Sequence, residues 1–82
     1  MSRSPSPIGC IGRVTRHGAI RPGRMGEVAV EIGGGVQAFL ARDADGGSID
    51  ALAEVVVVDK LAERTLLVTP LYDSHVKESP PS

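Results

Sequence analysis

Glycines and prolines cut this chain into pieces too short for packed helices. Between Ile8 and Pro70 the punctuation falls at Gly9, Gly12 and Gly18, at Arg21-Pro22-Gly23-Arg24, at Gly33-Gly34-Gly35 and at Gly46-Gly47. Runs rich in Val, Ile, Leu and Ala fill the spaces between them. Short apolar runs of branched residues bounded by turn signals are strands. Five such runs in 82 residues make a single all-β domain. A barrel of this size fills its interior with side chains, so function is expected on its surface.

The individual runs predict the strands. The first extends from Ile8 to about Ile20, and its glycines mark bends that let one long strand serve both layers of a small barrel. Arg21-Pro22-Gly23-Arg24 is a type II turn, with proline setting φ at the second position and glycine taking the positive φ at the third. The second strand, Gly26 to Ile32, alternates cleanly: Val28, Val30 and Ile32 on one face, Glu27, Ala29 and Glu31 on the other. The three glycines 33–35 close a hairpin.

In the third strand, Val36 to Arg42, one face carries Val36, Ala38 and Leu40 and the other Gln37, Phe39 and Ala41. With Gln37 taken to mark the outside, Phe39 falls outside too; the alternative is that this lone Phe completes the aliphatic core. Residues 43–48 form a polar loop, and Ile49 to Leu52 is one helical turn or a short crossing segment. Four consecutive valines in the fourth strand, Glu54 to Asp59, suit a strand covered on both faces. Lys60 to Glu63 is a turn, and the fifth strand runs from Arg64 to Thr69, stopped by Pro70.

Five strands with the longest connection between the third and fourth match the OB-fold, a small Greek-key barrel. The predicted barrel covers residues 8–72. It is flanked by disordered Ser/Pro-rich tails at 1–7 and 73–82.

These residues do not assemble a catalytic constellation. His17 lies in the first strand and His75 in a tail, and Cys10 is the only cysteine. Metal binding, disulfide formation and cofactor chemistry are therefore not expected. The segment Asp43 to Ser48 lacks the length and closing Glu of a calcium loop. The glycines at 33–35 have no following Lys-Ser/Thr and so do not form a phosphate loop. The serines lie in the tails or in a loop without a base. The expectation is a non-enzyme. No stretch reaches the roughly 18 apolar residues of a membrane helix, and no signal peptide is present, so a soluble cytoplasmic protein is expected.

Charge is distributed unevenly. Residues 1–24 carry five arginines and no acid, whereas residues 25–82 carry four bases and ten acids, for a net charge of −1. Such a basic end suits an acidic protein, an anionic lipid surface or nucleic acid. The candidate partner-binding residues are Arg13, Arg16, Arg21, Arg24 and Phe39, since arginines and aromatics carry most interface energy. If Phe39 is an exposed anchor, Phe39→Ala weakens binding and leaves the melting temperature nearly unchanged. Nucleic-acid binding is the alternative function. It is disfavoured because one Phe, one Tyr and no Trp leave few platforms for base stacking.

The stretch from Ile8 to Pro70 resembles the soluble C-terminal domain of the NfeD-like family. The resemblance rests on Gly9 and Gly12, Ile20-Arg-Pro-Gly23, Gly26-Glu-Val28, Gly33-Gly-Gly35, Ala38-Phe39, Ile49-Asp-Ala-Leu52, Val55-Val-Val57 and Leu66-Leu-Val-Thr-Pro70. It covers about three quarters of the chain and departs at Leu52, where the family tends to have glycine. The resemblance implies an OB-like barrel acting as a protein-interaction module with flotillin-like membrane scaffolds of the SPFH class. In the family this domain usually follows membrane helices, and some longer members carry a serine-protease domain. The sequence departs from the pattern in showing neither, so recruitment to the inner face of the plasma membrane without insertion is the expectation.

Overall fold

The computed structural model describes residues 6–71. Most of the two expected tails, including Arg3 and His75, lies outside them, as does Tyr72 at the end of the expected barrel. The described chain forms β1 (Ile11–Val14), β2 (Gly26–Ile32), β3 (Gly35–Asp43), β4 (Glu54–Ala62) and β5 (Thr65–Pro70). These close into a barrel in the order β1-β2-β3-β5-β4, with β4 returning to β1. Every neighbouring pair is antiparallel except β3 and β5, which run parallel. This is the expected all-β, five-stranded OB-fold-like Greek-key barrel.

The pairing of β2 with β3 runs from Gly26↔Ala41 to Ile32↔Gly35. The turn between them places Gly33 at φ +61° and Gly34 at φ +88°. Two consecutive positive φ values define a type I′ turn, whose twist matches that of the strands, and glycine adopts them without a steric penalty. Strand β1 is much shorter than the bent strand expected from Ile8 to Ile20. It spans four residues, because the chain leaves the sheet at Thr15 and rejoins only at Ile20, in an isolated bridge to Ile49.

The core consists of inward-facing strand residues plus Ile20 and Ile49 from the connections. Val14, Ile20, Val28, Val30, Val55, Val57, Leu66 and Val68 are essentially inaccessible to solvent. The backbones of Ile20 and Ile49 exchange two hydrogen bonds of 2.9 Å, so this pair lies on the strands' apolar ends as a plug. The segment after β3 is therefore a bridge at Ile49 followed by a turn at Ala51 and Leu52, and it contains no helical turn.

The structure decides between the two placements of Phe39 in favour of the core, against the outward reading taken from Gln37. Phe39 is 7% exposed and packs in the core, while Val36 and Leu40, expected inside, are 69% and 49% exposed. The cause lies in the register. Phe39 pairs with Val28 and Gln37 with Val30, so Gln37 shares the inward face. Strand β3 joins β5 only from Leu40 onward, so the β2–β3 hairpin extends past the end of the barrel. There the inward face meets water, and a glutamine is tolerated on it. The Arg64 guanidinium covers the Phe39 ring, 5.0 Å from its centroid, and its Nη2 donates to the Ala38 carbonyl at 2.7 Å.

The valine run is also one-sided rather than covered on both faces. Val55 and Val57 are buried, Val56 is half-buried and Val58 is exposed. Register shifts between Val57 and Asp59 and between Lys60 and Ala62 bend β4 against β5. Strand β4 also continues through Ala62, beyond the expected turn at Lys60. Leu52, just before β4, adopts φ +70°, a left-handed conformation that favours glycine.

Candidate interaction groove

The connection from Thr15 to Met25 folds back on the start of β2 and is fixed there by the backbone. Thr15 N donates to Glu27 O at 3.0 Å, Gly18 N to Thr15 O at 3.0 Å and Glu27 N to Gly18 O at 2.9 Å. Two glycines make this approach possible. A Cβ on Gly26 would collide with the Gly18 carbonyl, and one on Gly18 would sit 2.7 Å from the Glu27 carbonyl. At the tip, Arg21 and Arg24 bridge each other, with Arg24 N donating to Arg21 O at 2.9 Å and Gly23 at φ +74°. This is the turn predicted from Pro22-Gly23.

Folded in this way, the connection forms one wall of an open groove of about 460 Å³ beside the start of β2. Arg16, His17, Arg21 and Arg24 line it, together with Met25 and Leu40. Met25 and Leu40 are 44% and 49% exposed, so the lining offers apolar as well as basic contacts. Arg21 is partly committed: its Nη1 donates to Ile20 O at 3.1 Å and lies 3.6 Å from Asp50 Oδ1. Among the described residues, Arg16 and Arg24 make no ion pair. The only acid on the groove is Glu27, whose Oε1 accepts a hydrogen bond from Thr15 Oγ1 at 3.0 Å.

The structure therefore divides the sequence-predicted residues. Arg16, Arg21 and Arg24 converge on one groove. Arg13 is on the barrel wall between β1 and β4, where its Nη2 lies 3.2 Å from Glu54 Oε2 and its Nη1 donates to Leu52 O at 3.4 Å. Phe39 is buried in the core, with Arg64 over its ring. Met25 and Leu40 were missed. Leu40 was assigned to the wrong face of β3 by the same glutamine that misplaced Phe39.

No group of three or more His, Cys, Asp or Glu is arranged to hold a metal among the described residues. Asp43, 9% exposed, serves the loop that follows it, accepting from Asp45 N at 3.0 Å and Gly47 N at 3.1 Å. This is the polar turn read from the sequence. Among the described residues no helix is long and apolar enough to cross a membrane.

A family model for the NfeD C-terminal domain matches residues 11–69, from the first residue of β1 almost to the end of β5. The chain belongs to that family. Two solved NfeD-type structures resemble it. The soluble domain of the NfeD protein YuaF from Bacillus subtilis is 32% identical, with a TM-score of 0.66 over 79% of this chain and 74% of that one. The C-terminal domain of stomatin operon partner protein 1510-C from Pyrococcus horikoshii is 30% identical, with a TM-score of 0.64 over 82% of this chain and 91% of that one. No curated protein matches the sequence. The matched span takes in the whole Thr15–Met25 connection, so the groove belongs to the NfeD domain itself.

Proposed function

We propose that this NfeD domain is a non-catalytic protein-interaction module that works with a stomatin- or flotillin-like membrane scaffold of the SPFH class. The observation that carries the reading is the likeness, across most of both chains, to a domain from a protein named as a stomatin operon partner. A filled aliphatic core and a preformed surface groove support a binding role, because both leave the chemistry on the outside. In this reading the domain acts at the inner face of the plasma membrane through its partner, without inserting its own chain.

Nucleic-acid binding is the competing reading for an OB-like barrel, and the observations weigh against it. The core holds Phe39, so no aromatic is exposed among the described residues. The outward side of β2, where a strand of nucleic acid would cross, carries Glu27 and Glu31. The test is retention of a purified SPFH scaffold from the source cell on the immobilised 82-residue chain, in detergent and after nuclease treatment. Saturable retention is expected. If the scaffold washes through while a labelled oligothymidylate binds tightly at physiological salt, the interaction reading is lost to the nucleic-acid one.

A further inference from the structure

We propose that the groove between the Thr15–Met25 connection and β2 is a docking site for an acidic linear segment of the partner protein, anchored by one apolar side chain. The inference rests on the interaction reading above and assigns the chemistry of its recognition site. Its first support is charge complementarity. Arg16, Arg21 and Arg24 converge with His17 on a small open space, and among the described residues neither Arg16 nor Arg24 has an ion-pair partner. Arginine forks suit carboxylates, which they engage with two parallel hydrogen bonds.

The second support is the apolar floor. Met25, just before β2, and Leu40, on β3, line the groove with close to half of their surface exposed. A flexible methionine beside a leucine accepts an aliphatic side chain of variable shape. A peptide can place an acid at the arginine wall and an apolar residue on this floor within the same few residues. A single strand of nucleic acid would need a Phe, Tyr or Trp platform for its bases, and none lines the groove. A continuous phosphate chain leaving the groove along β2 would also meet Glu27 and then Glu31. An acidic peptide can avoid both by ending, or turning neutral, beyond the arginines.

The third support is preorganisation. The backbone bonds between Thr15, Gly18 and Glu27 and the Gly18–Gly26 contact hold the connection in place before any ligand arrives. The reciprocal Arg21–Arg24 bonds do the same for its tip. Binding then requires little ordering of the loop, which favours affinity from a small contact area.

The experiment is a titration of the 82-residue chain, labelled with nitrogen-15, with the heptapeptide Glu-Glu-Leu-Asp-Leu-Glu-Glu. Its isostere with Gln and Asn replacing the acids is the control, at low and at physiological salt. Saturable amide shifts are expected across residues 16–26 and at Leu40. The isostere is expected to bind at least tenfold more weakly, and added salt to weaken the acidic peptide. The R16E/R24E double variant, both exposed positions, should lose at least tenfold in affinity with an unchanged melting curve. K60E, an exposed position on β4 that does not line the groove, should retain peptide binding.

Absence of shifts at millimolar peptide, equal binding of the isostere, or shifts centred elsewhere would overturn the site. Tighter binding at this groove by oligothymidylate, or by vesicles of phosphatidylglycerol, would overturn the peptide assignment. The same variants separate this inference from the scaffold reading. If R16E/R24E retains full scaffold binding, the groove assignment fails and the scaffold reading stands. If the scaffold never binds but the acidic peptide does, the scaffold reading fails and the groove stands.

Discussion

Leu52 holds a backbone conformation that its side chain opposes. At φ +70° its Cβ crowds the neighbouring backbone, which costs about 1–2 kcal/mol for a residue other than glycine. Two bonds keep it there: Leu52 N donates to Val14 O at 2.8 Å, and Leu52 O accepts from the Arg13 guanidinium at 3.4 Å. Replacement by glycine relieves the crowding. The greater freedom of glycine in the unfolded chain returns about 0.5–1 kcal/mol of that gain. The side chain is 51% exposed, so half of the roughly 1.5–3 kcal/mol for burying a leucine, about 1 kcal/mol, is also lost.

These terms leave Leu52→Gly near wild type in stability. Leu52→Ala keeps the crowding and loses the side-chain cover, so it should be destabilised by about 1 kcal/mol. The informative quantity is the difference between the two variants. Glycine should exceed alanine by about 0.5–1 kcal/mol, or roughly 3–6 °C in melting temperature for a domain of this size. At a position of ordinary φ, alanine would lead by about the same amount. Both variants are to be measured by urea and thermal unfolding, followed by circular dichroism. An alanine variant at least as stable as the glycine variant would refute the positive-φ argument.

Two other perturbations test the packing. Phe39→Ala should cost about 3–5 kcal/mol, enough to unfold much of so small a domain, whereas Phe39→Leu should cost clearly less; urea unfolding distinguishes this core role from that of an exposed anchor, which would leave both variants as stable as wild type. Asp43→Ala should lower stability by about 1–3 kcal/mol, because it leaves the Asp45 and Gly47 amides without their acceptor. Hydrogen exchange in residues 44–48 should rise with it, and unchanged exchange would show that the carboxylate does not hold the loop.

The turns and hairpins were legible in the sequence because they depend on local chemistry. Pro22-Gly23 and Gly33-Gly34 sit where the observed torsions require them, and the alternation of β2 appears residue by residue in its burial. The facing of β3 was not legible. Its inward residues are Gln37, Phe39, Ala41 and Asp43, polar at both ends, whereas its outward face includes Val36, Ala38 and Leu40. Polarity alone selects the wrong face, since the protruding hairpin wets Gln37 and the following loop satisfies Asp43. Both conditions are tertiary.

The valines of β4 misled for a related reason: four in a row hide the alternation that its buried and exposed positions then restore. The groove was half legible. Its arginines are close in sequence, but the apolar floor depends on Leu40 pairing with Glu27 across the hairpin.

The order in which the strands meet also bears on how the chain acquires its structure. The β2–β3 and β4–β5 hairpins join residues that are neighbours along the chain. Closing the ring instead brings Ile11 to Val56 and Leu40 to Thr65. Those encounters restrict long loops before the core can reward them, which places the domain with the slower, millisecond-to-second class of small β folders. Until they occur, both hairpins present bare strand edges to other chains. Crowded synthesis is therefore the stage at which this barrel is most exposed to mispairing, and rapid ring closure is its protection.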